Sequence, residues 1–134
     1  MQKGDDLQAI KAISGKRKWQ VKWDLEKELL ANDHVIVITD IKRKIVFASD
    51  NIAGMTGYTA KEMLGQSPKM LQGKDTDKKK LKYISECIMA KEPFEAMIVN
   101  YKKNGEAYDC HIKAFPVFDA DNKLVNFIAF EKAA

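Results

Sequence analysis

The stretch Ile45-Val46-Phe47-Ala48-Ser49-Asp50-Asn51, followed shortly by Thr56-Gly57-Tyr58-Thr59-Ala60-Lys61-Glu62-Met63-Leu64-Gly65, decides the fold. Its first half is β-branched and aromatic and stops at a polar Ser-Asp-Asn cluster, which reads as a strand and its end. Its second half lies among Gly54, Gly57, Gly65 and Pro68, which break any helix there into short pieces. Immediately upstream, Val35-Ile36-Val37-Ile38 is a buried strand, and Ile41-Lys42-Arg43-Lys44 turns it back onto Ile45–Ala48 as a hairpin. Downstream, a longer helix spans residues 76–91, with Leu81, Ile84 and Ile88 facing the core and Lys78, Lys79, Lys82 and Glu86 facing water. Three strands follow, over 95–101, 107–117 and 124–131, with turns at Lys103-Asn104-Gly105 and Asp119-Ala120-Asp121-Asn122; Asn-Gly readily supplies the positive φ of a tight hairpin. The order ββ, helices, βββ is an α+β pattern with an antiparallel sheet covered on one face.

At the N-terminus, Leu7, Ile10 and Ile13 lie at helical spacing and Ser14-Gly15 is expected to stop that helix. A second helix is expected over residues 18–31, with Trp19, Trp23 and Leu30 on one stripe and Leu25 and Leu29 on its flank. The organisation expected is an N-terminal helical flank over 1–31, for coupling or dimerisation, and one domain over 32–134.

With 134 residues, 46% of them hydrophobic and 31% charged, the chain supports one ordinary core. No run of eighteen apolar residues is present, so no membrane helix is expected, and the polar start predicts a cytoplasmic protein. The net charge of +4 is spread with acids among the bases, which argues against nucleic-acid binding by this domain. Cys87 and Cys110 read as reduced thiols without metal-ligand spacing, and neither His34 nor His111 is expected to hold haem iron. No P-loop, glycine-rich dinucleotide loop or Ser/His/Asp set is present, so no enzyme activity is expected.

The two opening segments together resemble the PAS fold, over residues 32–131. The resemblance narrows to the LOV subgroup, the flavin-binding photosensors, at Leu71-Gln72-Gly73-Lys74-Asp75-Thr76-Asp77, at Asn100-Tyr101-Lys102-Lys103-Asn104-Gly105 and at Pro116-Val117-Phe118-Asp119. It implies a five-stranded antiparallel sheet with helices on one face and a ligand cavity between them. LOV photochemistry needs a cysteine in Gly-x-Asn-Cys-Arg-Phe-Leu-Gln-Gly. The aligned stretch here is Gly65-Gln66-Ser67-Pro68-Lys69-Met70-Leu71-Gln72-Gly73, which puts Pro68 at the reactive position and excludes a sulfur–carbon adduct there. Of the residues the resemblance assigns to flavin, Gln72 and Asn100 match, the phosphate-binding arginine becomes Lys69, a second asparagine becomes Cys110 and the terminal-strand glutamine becomes Glu131. The cofactor stays open between none and FMN or FAD.

Strand alternation sends Tyr108, Cys110, Ile112 and Ala114 inward, with Asp109, His111 and Lys113 outward. By the resemblance, Ala96, Ile98, Asn100, Val125, Phe127, Ala129 and Glu131 also face inward. The opposite face then carries Met97, Val99, Leu124, Ile128 and Phe130, too apolar to stand bare. Residues 16–31, with Trp19, Trp23 and Leu30, or a second copy of the chain, are expected to cover it. The resulting expectation is a sensory module that binds a small ligand or protein partner, forms a homodimer and passes a conformational signal to an output segment or a separate protein. The alternative is a flavin-binding redox or light sensor without adduct chemistry.

Overall fold

The computed structural model describes residues 3–20, 27 and 34–134. Helix α1 spans Lys3–Arg17. Strands β1 (Val35–Thr39) and β2 (Ile45–Ala48) form the first hairpin. Two short helices, α2 (Ile52–Thr56) and α3 (Ala60–Met63), and a 3-10 turn at Pro68–Leu71 lead to α4 (Lys78–Met89). Strands β3 (Phe94–Tyr101), β4 (Ala107–Phe118) and β5 (Leu124–Ala133) complete one antiparallel sheet of order β2-β1-β5-β4-β3. The last strand is thus inserted at the centre, paired with β1 on one side and β4 on the other.

Local chemistry explains the short pieces. Gly57, at φ 80°, closes α2 in the left-handed region that a Cβ disfavours. Thr59 opens α3 with a capping box: its Oγ1 accepts from Glu62 N–H, and Glu62 Oε1 accepts from Thr59 N–H. Asp77 caps α4 by accepting from Lys79 N–H. Gly54, in contrast to the expectation, sits inside α2 rather than breaking it.

All three hairpin turns share one plan. In Asp40–Lys44, Lys102–Glu106 and Asp119–Lys123 the first residue's N–H donates to the fifth residue's carbonyl, and the fourth residue, Arg43, Gly105 or Asn122, has positive φ. This is a type I turn followed by a left-handed residue. Only Gly105 of the Asn104-Gly105 pair has positive φ, so that turn is a three-residue loop. Asp40 and Asp119 each accept two backbone N–H groups through Oδ1 and brace their loops.

The N-terminal expectation changes in two ways. Helix α1 runs through Ser14 and Gly15 to Arg17. A single glycine weakens a helix by only about 1 kcal/mol, and Ser14 Oγ donates to the Lys11 carbonyl within it. The chain leaves the helix at Lys18, φ 55°. Trp19 is then not helical: it forms an antiparallel bridge with Asp119, and Gln20 N–H donates to the Phe118 carbonyl. Trp23, Leu25, Leu29 and Leu30 lie outside the described residues.

The sheet has two apolar faces. On the outer one, Ile10 of α1 and Trp19 pack with Ile36, Ile38, Phe47, Val117, Ile128 and Phe130, and Leu7 and Ile13 join at the edge. The described cover is therefore α1 together with Trp19. Met97 stays 38% exposed and Val99 half-buried at the β3 edge. There Lys80 Nζ and Thr76 Oγ1 donate to the Met97 and Val99 carbonyls and occupy part of the edge. A register shift beside Val117 and Phe118, where Phe118 pairs with Leu124, reverses two expected directions. Val125 packs on the outer cluster and Leu124 faces the inner side.

The glycine at the corner between the 3-10 turn and α4 is sterically required. A Cβ on Gly73 would collide with the Tyr101 ring, and that ring is held by its Oη accepting from Asp75 N–H at 2.9 Å. Gly73→Ala is expected to lower stability by about 1–3 kcal/mol through forced displacement of the ring. Urea unfolding checks this, and Tyr101→Ala in the same chain should relieve most of the Gly73→Ala penalty.

Candidate functional site

The inner face of the sheet, the 3-10 turn and α4 enclose a cavity of about 640 Å³. This volume lies within the range of small-molecule sites. Leu81, Ile84 and Ile88 form its helical wall, as their spacing predicts. Ile98, Ile112, Ala114 and Ala129 form its floor on the sheet. Phe94 and Phe127, with centroids 6.5 Å apart and planes tilted by 35°, supply aromatic surface to it. Phe94 escapes the sequence reading because the strand was expected to begin one residue later. At the mouth stand Arg43, Lys69, Lys78 and Lys82, with Asp40; Arg43 Nη1 donates to Ser85 Oγ and ties the first hairpin to α4.

Among the candidate residues, Lys69, Gln72, Asn100 and Glu131 all line this cavity. They come from the 3-10 turn, the residue closing it, β3 and β5. Cys110 is fully buried beside the cavity and does not line it; its Sγ donates to Glu131 Oε1 at 3.5 Å. Register explains this pairing. Ile112 lies opposite Glu131, and Cys110 is the same-face neighbour two residues before it. Cys87 is buried on α4, also away from the cavity lining. Pro68 does line it.

Beside Glu131, at the polar end of the cavity, two further weak acids gather just outside its lining. Asn100 pairs across the sheet with Tyr108, which is followed by Cys110 on the same face. Tyr108 Oη is buried, with the Asn100 side chain as its polar neighbour. Burial raises the Tyr108 phenol and the Cys110 thiol well above their ordinary values, with the neighbouring acids adding to the effect. Both therefore remain protonated at neutral pH. Burial also lifts the Glu131 carboxyl to about 7, against the smaller opposing pull of its bond from Cys110. Glu131 is 8% exposed. The three-acid grouping of Tyr108, Cys110 and Glu131 was unread in the sequence, although the alternation of β4 already put the first two on one face.

The interface candidates divide. Trp19, Ile128 and Phe130 meet in the outer cluster, with Trp19 Nε1 donating to the buried Asn126 Oδ1 at 3.0 Å. Met97 and Val99 stand apart from them, and Trp23 and Leu30 are outside the described residues. Among the described residues no helix is long and apolar enough to cross a membrane, and no group of His, Cys, Asp and Glu could hold a metal ion.

A five-stranded sheet of order 2-1-5-4-3, with its short helices and α4 closing a cavity on one face, defines the PAS class. The PAS domain family matches residues 32–132, and the chain belongs to it. Among its structural neighbours are LOV domains. It is 34% identical over 109 residues to a blue-light-activated histidine kinase of Brucella canis, covering 81% of this chain and 21% of that protein. A solved structure concerned with a flavin analogue and the light-oxygen-voltage domain mechanism superposes with a TM-score of 0.77 at 26% identity, covering 84% of this chain and 86% of the other. The LOV domain of a blue-light activated histidine kinase from Erythrobacter litoralis superposes with a TM-score of 0.70 at 26% identity, covering 75% and 94%. The chain spans about a fifth of the length of the Brucella relatives. It is a PAS sensory domain of the kind found in signalling proteins.

Proposed function

We propose that this chain senses a flat, largely apolar organic ligand in the cavity between sheet and helices, and passes its occupancy to an output segment or a separate signalling protein. The observation that carries the proposal is the cavity of about 640 Å³, apolar on both walls, with Gln72, Asn100 and Glu131 converging on it. That combination fixes a ligand's orientation by a few polar points and its affinity by apolar contact. Residues 1–31 are the flank of the sensory domain at 32–134, and a homodimer of the chain relays the signal. The domain binds and transmits and catalyses no reaction of its own.

A second reading is favoured by the relatives, several of which are named for blue light. A flavin fits the cavity in size, and Gln72 and Asn100 would meet its ring edge while Lys69 at the mouth would meet its phosphate. Bound flavin would supply light absorption and reversible reduction. The fit is incomplete where the resemblance expects two amides, since Cys110 and Glu131 are bonded to each other there. With Pro68 at the position of the reactive cysteine and both cysteines outside the cavity lining, a flavin here would be held without a covalent adduct.

Absorption spectroscopy and native mass spectrometry of the freshly purified chain test both readings. A colourless small molecule of defined mass, bound one to one, is the result expected of the first. Flavin bands that show no adduct bleaching under blue light select the second. A bare chain that takes up neither FMN nor any flat aromatic fragment, with no difference between the native protein and Ala114→Trp, would overturn both.

A further inference from the structure

We propose that Glu131 determines which ligand the cavity accepts: its carboxylate takes the N–H edge of a flat heteroaromatic molecule, and uptake of that molecule releases a proton from the protein. The inference rests on the cavity being a ligand site and goes on to name the ligand's chemistry.

Glu131 lines the cavity yet is 8% exposed. The groups around it offer little to a negative charge. From β4 come Cys110, whose thiol is a weak donor at 3.5 Å, and the neutral phenol of Tyr108. From β1 its register partner is Val35, and the helical side contributes Leu71 and Gln72 to the shared lining. From β3 comes the neutral amide Asn100. Among the described residues no lysine, arginine or histidine forms an ion pair with it. An ionised carboxylate has about four acceptor sites, and here one weak thiol bond meets them. Burying a charge with its acceptor capacity unmet is strongly unfavourable. Burial accordingly raises the carboxyl to about 7, so the two forms exchange at neutral pH.

A ligand changes this balance according to the edge it presents. An N–H donor supplies the missing bond to the carboxylate, and the ionised form becomes the bound form. An edge carrying acceptors alone faces lone pairs on the carboxylate and is tolerated when Glu131 is protonated. The same site thus discriminates between two molecules of one shape by the direction of a single hydrogen bond. A neutral amide would discriminate less and without dependence on pH, since it offers both a donor and an acceptor throughout.

The probes are carbazole and dibenzofuran, flat tricycles of nearly one shape that differ in N–H against ring oxygen. At pH 8 carbazole is expected to bind the native chain roughly tenfold to a hundredfold more tightly, the range for hydrogen bonds to a charged group. The preference should shrink at pH 5, where Glu131 is protonated. In unbuffered solution near pH 7, carbazole uptake should release protons and dibenzofuran uptake should not. Glu131→Leu should bind both probes alike. Glu131→Gln, which keeps the shape and an acceptor, should make the preference independent of pH. Equal affinities for the native chain at pH 8, or a preference that survives in Glu131→Leu, would overturn the role of Glu131 while leaving the cavity reading intact. Binding of neither probe would overturn the cavity reading itself, and the role of Glu131 with it.

Discussion

Trp19→Ala is expected to lower the stability of the chain by about 4 kcal/mol, within the range for removing a large buried aromatic side chain. Trp19 is 6% exposed and sits in one cluster with Ile10 of α1 and with Ile128 and Phe130 of β5. Its removal leaves a void between helix and sheet and strips the Nε1–H from the Asn126 amide, which is 2% exposed and keeps only its own bond to the Thr39 carbonyl. An unmet polar group so deep adds a further penalty. Trp19→Phe separates the two contributions by keeping most of the ring and losing the hydrogen bond, and should cost about 1–2 kcal/mol. Urea unfolding gives the magnitude, and amide exchange tells where the loss falls. Protection should drop first in α1, whose apolar residues share the cluster. A change below about 1 kcal/mol would mean that α1 alone holds the outer face.

The second large effect is a loss of stability on raising the pH. The Glu131 carboxyl titrates at about 7 in the folded chain against an ordinary 4.5. The native state therefore holds more protons than the unfolded state between those values, and stability must fall as pH rises through that window. The contribution is complete below about 4.5, declines through the interval and levels off above about 7, for a total of roughly 3 kcal/mol. Asp6 acts with the same sign. It is 1% exposed, burial raises its carboxyl, and Oδ2 accepts from Asp50 N–H while Oδ1 lacks a partner. Urea midpoints at pH 5 and pH 8 measure the drop. Glu131→Gln should flatten most of it, and a profile unchanged by that substitution would assign the slope to other groups.

The legibility of this fold in its sequence differs from element to element for physical reasons. Strands β1 and β2 are unbroken apolar β-branched runs between polar turns, and nothing competes with that reading. The three turn loops are written in neighbouring residues and read as turns; the capping box at Thr59 and Glu62 and the cap at Asp77 are equally local but escape the sequence reading. The direction of Leu124 and Val125 is not local. It depends on the register shift opposite Val117 and Phe118, and strict alternation gives the wrong face for both. The path of Trp19 is set by its bridge to Asp119 and its bond to Asn126, both about a hundred residues away in sequence. For the same reason the inward direction of Asn100, Cys110 and Glu131 was readable while the bond between the last two was not, because pairing of side chains on separate strands follows from register.

Strand β5 occupies the middle of the sheet, and its side chains serve two neighbourhoods. Phe127, Ala129 and Glu131 line the cavity, while Asn126, Ile128 and Phe130 seat Trp19 and α1. Substitutions at odd and even positions are thereby uncoupled in what they touch, although they are consecutive in the chain. Such a strand can drift in what it holds on one side while preserving what is fastened to the other. Diversity of ligand among domains built this way needs no redesign of the attachment to the rest of the protein.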